Sequence, residues 1–270
     1  MVALDIDGTL VDHEGVLPHE VRRSVRRVVD AGVPVVLTTG RSWHATRPVF
    51  EQLGLPSGPA VASNGAVTVT FPPFQLEQVV TFDPSDVVEK VLREHPTAAL
   101  AAEVVGQGYR VTKQFPEDEL SGVIEEVSVE ELAGSDVTRI VVRDPNASDE
   151  EFIRLADRLG LHGVSYFVGW SAWLDIAPEG VNKASALADV VDGLGFTAGD
   201  VLAIGDGRND IEMLTWAGRG VALGDASAEV RAAADHVTAP FAEGGTAREL
   251  DRWFGTRARR AARELSVLAS

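Results

Sequence analysis

Two aspartates near the start of the chain have the spacing of a catalytic or metal-binding pair. Asp5 and Asp7 follow an apolar stretch, Val2–Leu4, that is typical of a buried strand. Because side chains alternate along a strand, we expect both carboxylates to project into one place. Adjacent carboxylates repel unless a cation or a shared proton offsets their charge. The pair indicates a divalent cation with oxygen ligands or acid–base chemistry, although a plain strand end with an Asp-Gly turn would look the same.

Two further positions are suited to an anion. Thr38, Thr39 and Gly40 end a second apolar stretch and come just before a predicted helix, whose free N–H groups and nearby hydroxyls bind phosphate well. An ordinary capped turn would also explain this segment. Lys183 stands at another predicted helix start, where the helix dipole disfavours a cation unless it faces an anion.

A third apolar stretch, residues 201–204, leads to Gly-Asp and then to Asn-Asp at the next predicted helix. Asn209 or Asp210 would serve as an N-cap, but capping leaves Asp206 without an explanation. We expect Asp206 and Asp210 to face a cation near Asp5, because these segments follow parallel strands at the edge where open α/β sheets bind ligands.

Composition excludes several classes of protein. The 270-residue chain has 24 Lys and Arg against 41 Asp and Glu, a net charge of −17, which disfavours nucleic acid and anionic lipid as partners. It has no cysteine, so disulfides, thiolate catalysis and zinc–thiolate sites are excluded. No apolar run of membrane-spanning length and no secretory signal is visible, so we expect a cytoplasmic protein, either a monomer or a small homo-oligomer.

Periodicity predicts an α/β fold with an insertion. Strands and helices alternate as βαβαβ over residues 1–63, which predicts a Rossmann-like parallel sheet, and the alternation resumes after residue 180. Between them lie a hairpin-like stretch and an α+β block with a helix at 149–159 and one strand at 164–176. We therefore predict a core of residues 1–82 and 178–270 and an inserted α+β domain of residues 83–177, with proline-containing crossings.

Taken together, the motifs identify a family resemblance. DIDGTL at residues 5–10, LTTGR at 37–41, Lys183 and GDGRND at 205–210 occur in the order of the four motifs of the haloacid dehalogenase-like superfamily of phosphohydrolases. With SNGA at 63–66 and the large insertion after it, the chain resembles the Cof-type branch, whose inserted domain is a type C2 cap. The resemblance covers nearly the whole chain.

The resemblance implies a role for each motif residue. Asp5 would be the nucleophile that forms an aspartyl-phosphate, and Asp7 the general acid and base. Mg²⁺ would be held by the Asp5 carboxylate, the Asp7 backbone carbonyl and Asp206, with Asp210 helping directly or through water. The phosphoryl-binding residues would be Thr38 or Thr39, Gly40, Lys183 and Asn209. Strand alternation leaves the choice between the two threonines open, and the family's usual position favours Thr39.

The implied activity is hydrolysis of a small phosphorylated metabolite, most plausibly a sugar phosphate. Asp7 argues against the dehalogenase branch, which lacks the second aspartate. Mutases and phosphotransferases keep both, so they stay an alternative, as does a non-catalytic binding protein. Candidate substrate contacts are Asn64, Trp170 and Trp173, although strand tryptophans usually belong to a core. Arg208 would face either substrate or solvent.

Overall fold

The protein is described here by a computed structural model that covers residues 1–117, 119–144, 164–168 and 173–255. The side chains of residues 164–168 and of Trp173 are outside that description. The helix predicted at 149–159 also lies outside the described residues. None of the described helices is long and apolar enough to cross a membrane.

The described strands form two sheets. In chain order they are β1 (Val2–Leu4), β2 (Val35–Thr38), β3 (Gly58–Ala62), β4 (Val67–Phe71), β5 (Gln75–Val79), β6 (Ala99–Val104), β7 (Gly108–Val111), β8 (Val123–Glu126), β9 (Ile140–Arg143), β10 (Val164–Val168), β11 (Trp173–Pro178), β12 (Leu202–Gly205), β13 (Arg219–Ala222) and β14 (His236–Val237).

The described α-helices connect and cover these strands. They are α1 (His19–Asp30), α2 (Trp43–Leu53), α3 (Ser85–Glu94), α4 (Val129–Ala133), α5 (Lys183–Gly193), α6 (Ile211–Trp216), α7 (Ala228–Ala233) and α8 (Gly245–Phe254). Pro18 is the N-cap of α1, and the Ser42 hydroxyl caps α2 by accepting from the Ala45 N–H.

The larger sheet has the order β14-β13-β12-β1-β2-β3-β4-β5. Its strands from β14 to β3 are parallel, and β4 and β5 join them as an antiparallel hairpin. β1 therefore lies at the centre, with β2 on one side and β12 on the other. The predicted α/β fold with a parallel core sheet is confirmed, and the carboxyl ends of its central strands meet at one edge.

Helices cover both faces of this sheet, as the near-continuous apolar strands require. Alternate residues of β1 separate into two buried clusters, one packed by α1, α2 and α8 and the other by α5, α6 and α7. The helices contribute fully buried side chains to these clusters, among them Phe50, Leu187 and Leu250. Burial stabilises each such side chain by about 1.5–3 kcal/mol relative to exposure, so the strand ends are anchored by the layers beneath them.

The smaller sheet has the order β10-β11-β9-β6-β7-β8 and is formed by the inserted segment. Helices α3 and α4 cover one face through an apolar cluster that includes Val91, Leu132 and Ile140. On the opposite face, Ala101, Tyr109 and their neighbours form a second cluster. The core boundaries at residues 82 and 178 stay a prediction.

Two details of the insertion differ from expectation. The single strand predicted at 164–176 is instead the antiparallel pair β10 and β11, with residues 169–172 outside the described part of the chain. β8 and α4 were not predicted, because the β8 sequence VIEE has no buried face and pairs at the sheet edge with β7. Exposed edge strands carry little of the alternation that identifies a strand.

Candidate active site

The candidate site lies at the carboxyl edge of the central strands. β1 ends at Leu4 and is followed directly by Asp5, while β12 ends one residue before Asp206. The N-terminus of α5 brings Lys183 to the same edge, because the Asn182 side chain and Ser185 form a capping box that fixes where the helix starts. Segments that are about 180 residues apart in the chain thus meet at one point.

Lys183 is fully buried between two carboxylates. Its Nζ donates to Asp5 Oδ1 at 2.6 Å and to Asp210 Oδ1 at 2.7 Å. Burial lowers the pKa of the Lys183 ammonium, but the charges of Asp210 and Asp5 more than offset this and raise it above its usual value. The lysine is therefore a fixed positive charge, which explains the cation at a helix start.

A third carboxylate, Asp206, completes an acidic cluster. Oxygens of Asp5, Asp206 and Asp210 lie within 4.8 Å of one another, and all three residues are buried. Burial, followed by the charge of Asp210, raises the pKa of Asp206 to about 7. Burial and the same neighbour raise the pKa of Asp5 well above its usual value. When all three carboxylates are ionised, their charge exceeds that of the Lys183 ammonium by two, and these oxygen donors fit a hard divalent cation such as Mg²⁺.

Glycines allow these carboxylates to approach so closely. A Cβ on Gly8, whose φ is +74°, would lie 2.3 Å from Asp206 Oδ2, and a Cβ on Gly205 would lie 2.5 Å from Asp210 Cγ. Asp210 Oδ2 also accepts from the backbone N–H groups of Asp206 and Gly207 at 3.0 and 2.9 Å. The loop after β12 is thus folded around the Asp210 carboxylate, which fixes its other oxygen on Lys183.

Asp7 does not follow the alternation that the sequence suggested. β1 ends at Leu4, Asp7 forms an isolated bridge with Val11, and its carboxylate turns outward to Arg41. Arg41 Nε donates to Asp7 Oδ2 at 2.9 Å, and Nη2 contacts the other oxygen. The two aspartates therefore do not share one position, because a turn rather than an extended strand carries Asp7. A role in proton transfer is compatible with this exposed place, whereas the Asp5 carboxylate is sequestered.

The segment after β2 places its two threonines in different surroundings. Thr39 Oγ1 accepts from the Arg41 N–H at 3.1 Å, while buried Thr38 Oγ1 has no hydrogen-bond partner among the described residues. Gly40 packs closely against two amides, since a Cβ there would lie 3.1 Å from Asn64 Oδ1 and 3.4 Å from Asn209 Nδ2. Gly40 therefore lies beside Asn209 in the loop that also carries Asp206 and Asp210.

Asn64 and Asn209 connect two motifs. Asn209 Nδ2 donates to Asn64 Oδ1 at 2.9 Å, and Asn64 Nδ2 lies 3.5 Å from Asp175 of the inserted domain. Asn64 adopts a left-handed conformation (φ +52°) in the 3₁₀ turn Ser63–Gly65, which directs its amide to this junction. Arg208, in contrast, is half-exposed and pairs with Glu229 at 3.2 Å.

The inserted domain contributes polar residues that the sequence analysis missed. They are Glu103, Tyr109, Arg139 and Asp175, all buried on the sheet face opposite α3 and α4. Alternation within β6 and β11 is the signal that could have located two of them. Glu103 and Asp175 point to the opposite face of the sheet from the apolar residues of the domain core. Of the predicted cap contacts, Trp170 lies outside the described residues, and Trp173 begins β11 with its side chain outside the description.

The structure thus brings an acidic cluster and a buried lysine together at the carboxyl edge of an α/β sheet that carries an inserted domain. A sequence model of the haloacid dehalogenase-like hydrolases matches residues 2–250. The chain therefore belongs to the haloacid dehalogenase-like hydrolase family. The resemblance stated from the four motifs is confirmed, as is the assignment of the chain as a phosphatase of this family.

Individual relatives span nearly the whole chain. The 5-amino-6-(5-phospho-D-ribitylamino)uracil phosphatase YcsE of Bacillus subtilis (strain 168) is 29% identical over 255 residues, which is 94% of this chain and 95% of the relative. A phosphoglycolate phosphatase of Methanothermobacter thermautotrophicus is 30% identical, with 94% and 98% covered. The solved structure of the subclass IIB sugar phosphatase BT4131 matches with a TM-score of 0.80 at 23% identity, over 93% and 98% of the two chains, and shows the same fold.

Proposed function

We propose that the protein is a Mg²⁺-dependent phosphomonoesterase that acts through an aspartyl-phosphate on a small phosphorylated metabolite. The observation that carries this proposal is the buried carboxylate of Asp5, held by the Lys183 ammonium beside Asp206 and Asp210. A nucleophilic carboxylate must meet a phosphate dianion, and both the lysine and a cation in the acidic cluster would offset their mutual repulsion.

The metal ligands in this proposal are the Asp5 carboxylate, the Asp7 backbone carbonyl and Asp206, with Asp210 bound directly or through water. Mg²⁺ favours oxygen ligands and keeps several waters, and it would supply positive charge at the phosphoryl oxygens. The excess of two negative charges that the ionised cluster has over Lys183 supports a divalent ion.

The chain's own residues would perform two displacements. An Asp5 carboxylate oxygen forms a bond to phosphorus while the bond to the ester oxygen breaks, and Asp7 gives its proton to the departing alkoxide. Asp7 then takes a proton from water as that water attacks phosphorus, which breaks the Asp5–phosphorus bond and releases inorganic phosphate. Lys183 stabilises the charge on the phosphoryl oxygens throughout.

Three further residues would hold the phosphoryl group, namely one of the two threonines (Thr39 or Thr38), Gly40 and Asn209. The Thr39 hydroxyl, which accepts from the Arg41 N–H, keeps its own proton for a phosphoryl oxygen. Thr38 has the buried hydroxyl without a partner among the described residues, so it stays a candidate. Single Thr39→Val and Thr38→Val variants would separate the two threonines. Replacing the one that binds phosphate should raise KM and lower kcat, and replacing the other should change neither.

We favour a sugar phosphate or related polyol phosphate as the substrate. The two curated relatives are named for small phosphorylated metabolites, which supports a substrate of that class. The substrate in the name of the Bacillus subtilis relative carries a phosphoribityl group. Buried polar side chains of the inserted domain, such as Asp175, suit hydroxyl-bearing leaving groups better than apolar ones. The predicted cytoplasmic location and the predicted monomeric or small homo-oligomeric state stay predictions.

Phosphate release from a panel of phosphorylated metabolites, with Mg²⁺ or with a chelator, tests the proposal. We expect Mg²⁺-dependent release from the wild type, none from Asp5→Asn, and unchanged release from Asp30→Asn, which alters an exposed acid at the end of α1. Transfer to an added acceptor without release would favour a mutase or phosphotransferase instead. Binding of panel members without turnover would indicate a binding protein.

A further inference from the structure

A buried guanidinium of the inserted domain contacts the segment after β2. Arg139, which is 3% exposed and immediately precedes β9, donates from Nη1 to the carbonyl oxygen of Gly40 at 2.5 Å. Gly40 belongs to the segment that would bind the phosphoryl group. The contact therefore joins the two parts of the molecule at the reacting end of the site rather than at their periphery.

The inserted domain holds this guanidinium through three buried side chains. Glu103 lies 3.2 Å from Nε, Asp175 lies 3.4 Å from Nη1, and the Tyr109 hydroxyl accepts from Nη2. Because the donors of an arginine form a rigid planar fork, these partners set the direction of Nη1 as well as its position. The guanidinium is thereby aimed at one atom of the core, the Gly40 carbonyl oxygen.

The peptide between Gly40 and Arg41 is held at both of its polar atoms. Its carbonyl accepts from Arg139, and its N–H donates to Thr39 Oγ1 at 3.1 Å. A peptide group is planar, so holding the oxygen also sets the direction of the N–H. The same residue that supplies this N–H carries the side chain that pairs with Asp7.

We propose that Arg139 is a positioning residue for phosphoryl transfer. It sets the Gly40–Arg41 peptide, and through that peptide it orients the Thr39 hydroxyl and the Arg41 side chain that holds Asp7. The inference rests on the proposed function for the roles of Thr39 and Asp7, while the contact itself does not depend on that function.

Stabilisation of the fold does not by itself account for this cluster. Arg139, Glu103 and Asp175 bring three charges into a buried place, and a buried ion cluster is commonly no more stable than apolar residues of similar volume. Within the inserted domain the guanidinium donates to Tyr109 and Asp175 and pairs with the charge of Glu103, while Nε has no hydrogen-bond partner among the described residues. Nη1 also donates across to the core, and its acceptor there is the Gly40 carbonyl of the proposed phosphate-binding segment.

The first test replaces the fork but keeps the charge. We expect Arg139→Lys to fold and to lower kcat on the order of tenfold for an alkyl phosphate, with a smaller loss for p-nitrophenyl phosphate, whose leaving group needs little proton donation. Arg143→Lys is the matched control, because Arg143 is also buried on this sheet and pairs with Glu119 within the domain. We expect its two kcat values to stay near wild type.

The second readout does not require turnover. Hydrogen exchange of the amides at residues 39–42, measured in the metal-free protein without substrate, should be faster in Arg139→Lys than in wild type and unchanged in Arg143→Lys. Tyr109→Phe removes one acceptor from the guanidinium and should accelerate the same hydrogen exchange by a smaller factor. This variant provides the test if Arg139→Lys does not fold.

The outcomes separate the two proposals. Unchanged exchange at residues 39–42, or equal losses of kcat on both esters, would overturn the positioning role whatever the wild type does. A wild type without Mg²⁺-dependent phosphate release would overturn the proposed function, and faster exchange in the variant would still support the hold of Arg139 on the peptide.

Discussion

The core and the inserted domain each contain a buried ion cluster, and the two clusters are built differently. The core cluster has three carboxylates, Asp5, Asp206 and Asp210, around one ammonium, and its parts come from turns that follow strands. The cluster of the inserted domain has two carboxylates around the guanidinium of Arg139, and its parts lie on or beside strands. With every carboxylate ionised, the core cluster therefore has an excess of two negative charges and the cluster of the inserted domain an excess of one.

The difference in structural position between the clusters indicates a different role for each. Turns at strand ends let several carboxylates converge on one point, as a cation requires, whereas positions on a sheet are spaced by the strands and favour fixed hydrogen bonds. Glycines relieve the crowding in the core cluster, since a side chain on Gly8 or Gly205 would overlap a carboxylate. We expect the core cluster to take part in bond making and the other cluster to hold geometry, and four predictions follow this distinction.

The largest effect is expected for the nucleophile. Asp5→Asn should lower kcat by about 10³-fold or more, because the amide cannot form the aspartyl-phosphate. Without Mg²⁺ the free energy of unfolding should be unchanged or higher, since one of three mutually repelling buried carboxylates is removed. Steady-state kinetics and thermal melts measure both. Near-normal turnover in this variant would contradict the assignment of Asp5.

The next effect concerns the stability of the core cluster. Lys183→Met removes the ammonium that pairs with both Asp5 and Asp210 and should lower the free energy of unfolding by about 3–5 kcal/mol in the absence of Mg²⁺. Chemical denaturation measures it, and Lys90→Met on α3 of the inserted domain is the control. A Lys183→Met protein as stable as the control would show that the acids of the cluster are protonated and need no cation.

A smaller shift is expected from the metal. Mg²⁺ at about 100 times its Kd should raise the free energy of unfolding by about 2.7 kcal/mol through mass action. Asp206→Asn should largely remove this gain, while Glu103→Gln in the other cluster should keep it. Melting curves with Mg²⁺ and with a chelator provide the measurement. Equal gains in wild type and Asp206→Asn would place the ion elsewhere.

The same contrast explains what could be predicted from the sequence. The core cluster was found because its residues stand in short motifs after apolar runs, and strand order alone brings such turns together. Arg139 and Asp175 are single polar residues 36 positions apart, and their proximity depends on the register of β9 and β11. The direction of the Asp7 carboxylate was missed for a related reason, because β1 ends at Leu4 and alternation does not extend into a turn.

The smallest effect is expected at Glu103, although its carboxylate is fully buried. Oε2 accepts from Ser63 and Thr138, and Oε1 has no hydrogen-bond partner among the described residues. In Glu103→Gln the amide oxygen can keep both hydrogen bonds, and Arg139 still pairs with Asp175.

Losing this charge also leaves the inserted-domain cluster neutral, so we expect the free energy of unfolding to change by no more than about 1 kcal/mol and kcat to stay within about threefold of wild type. Denaturation and kinetics on the same preparation test this. A tenfold loss of kcat with unchanged stability would mean that the Glu103 charge acts on the substrate itself, and the distinction between a reacting cluster and a positioning cluster would then fail.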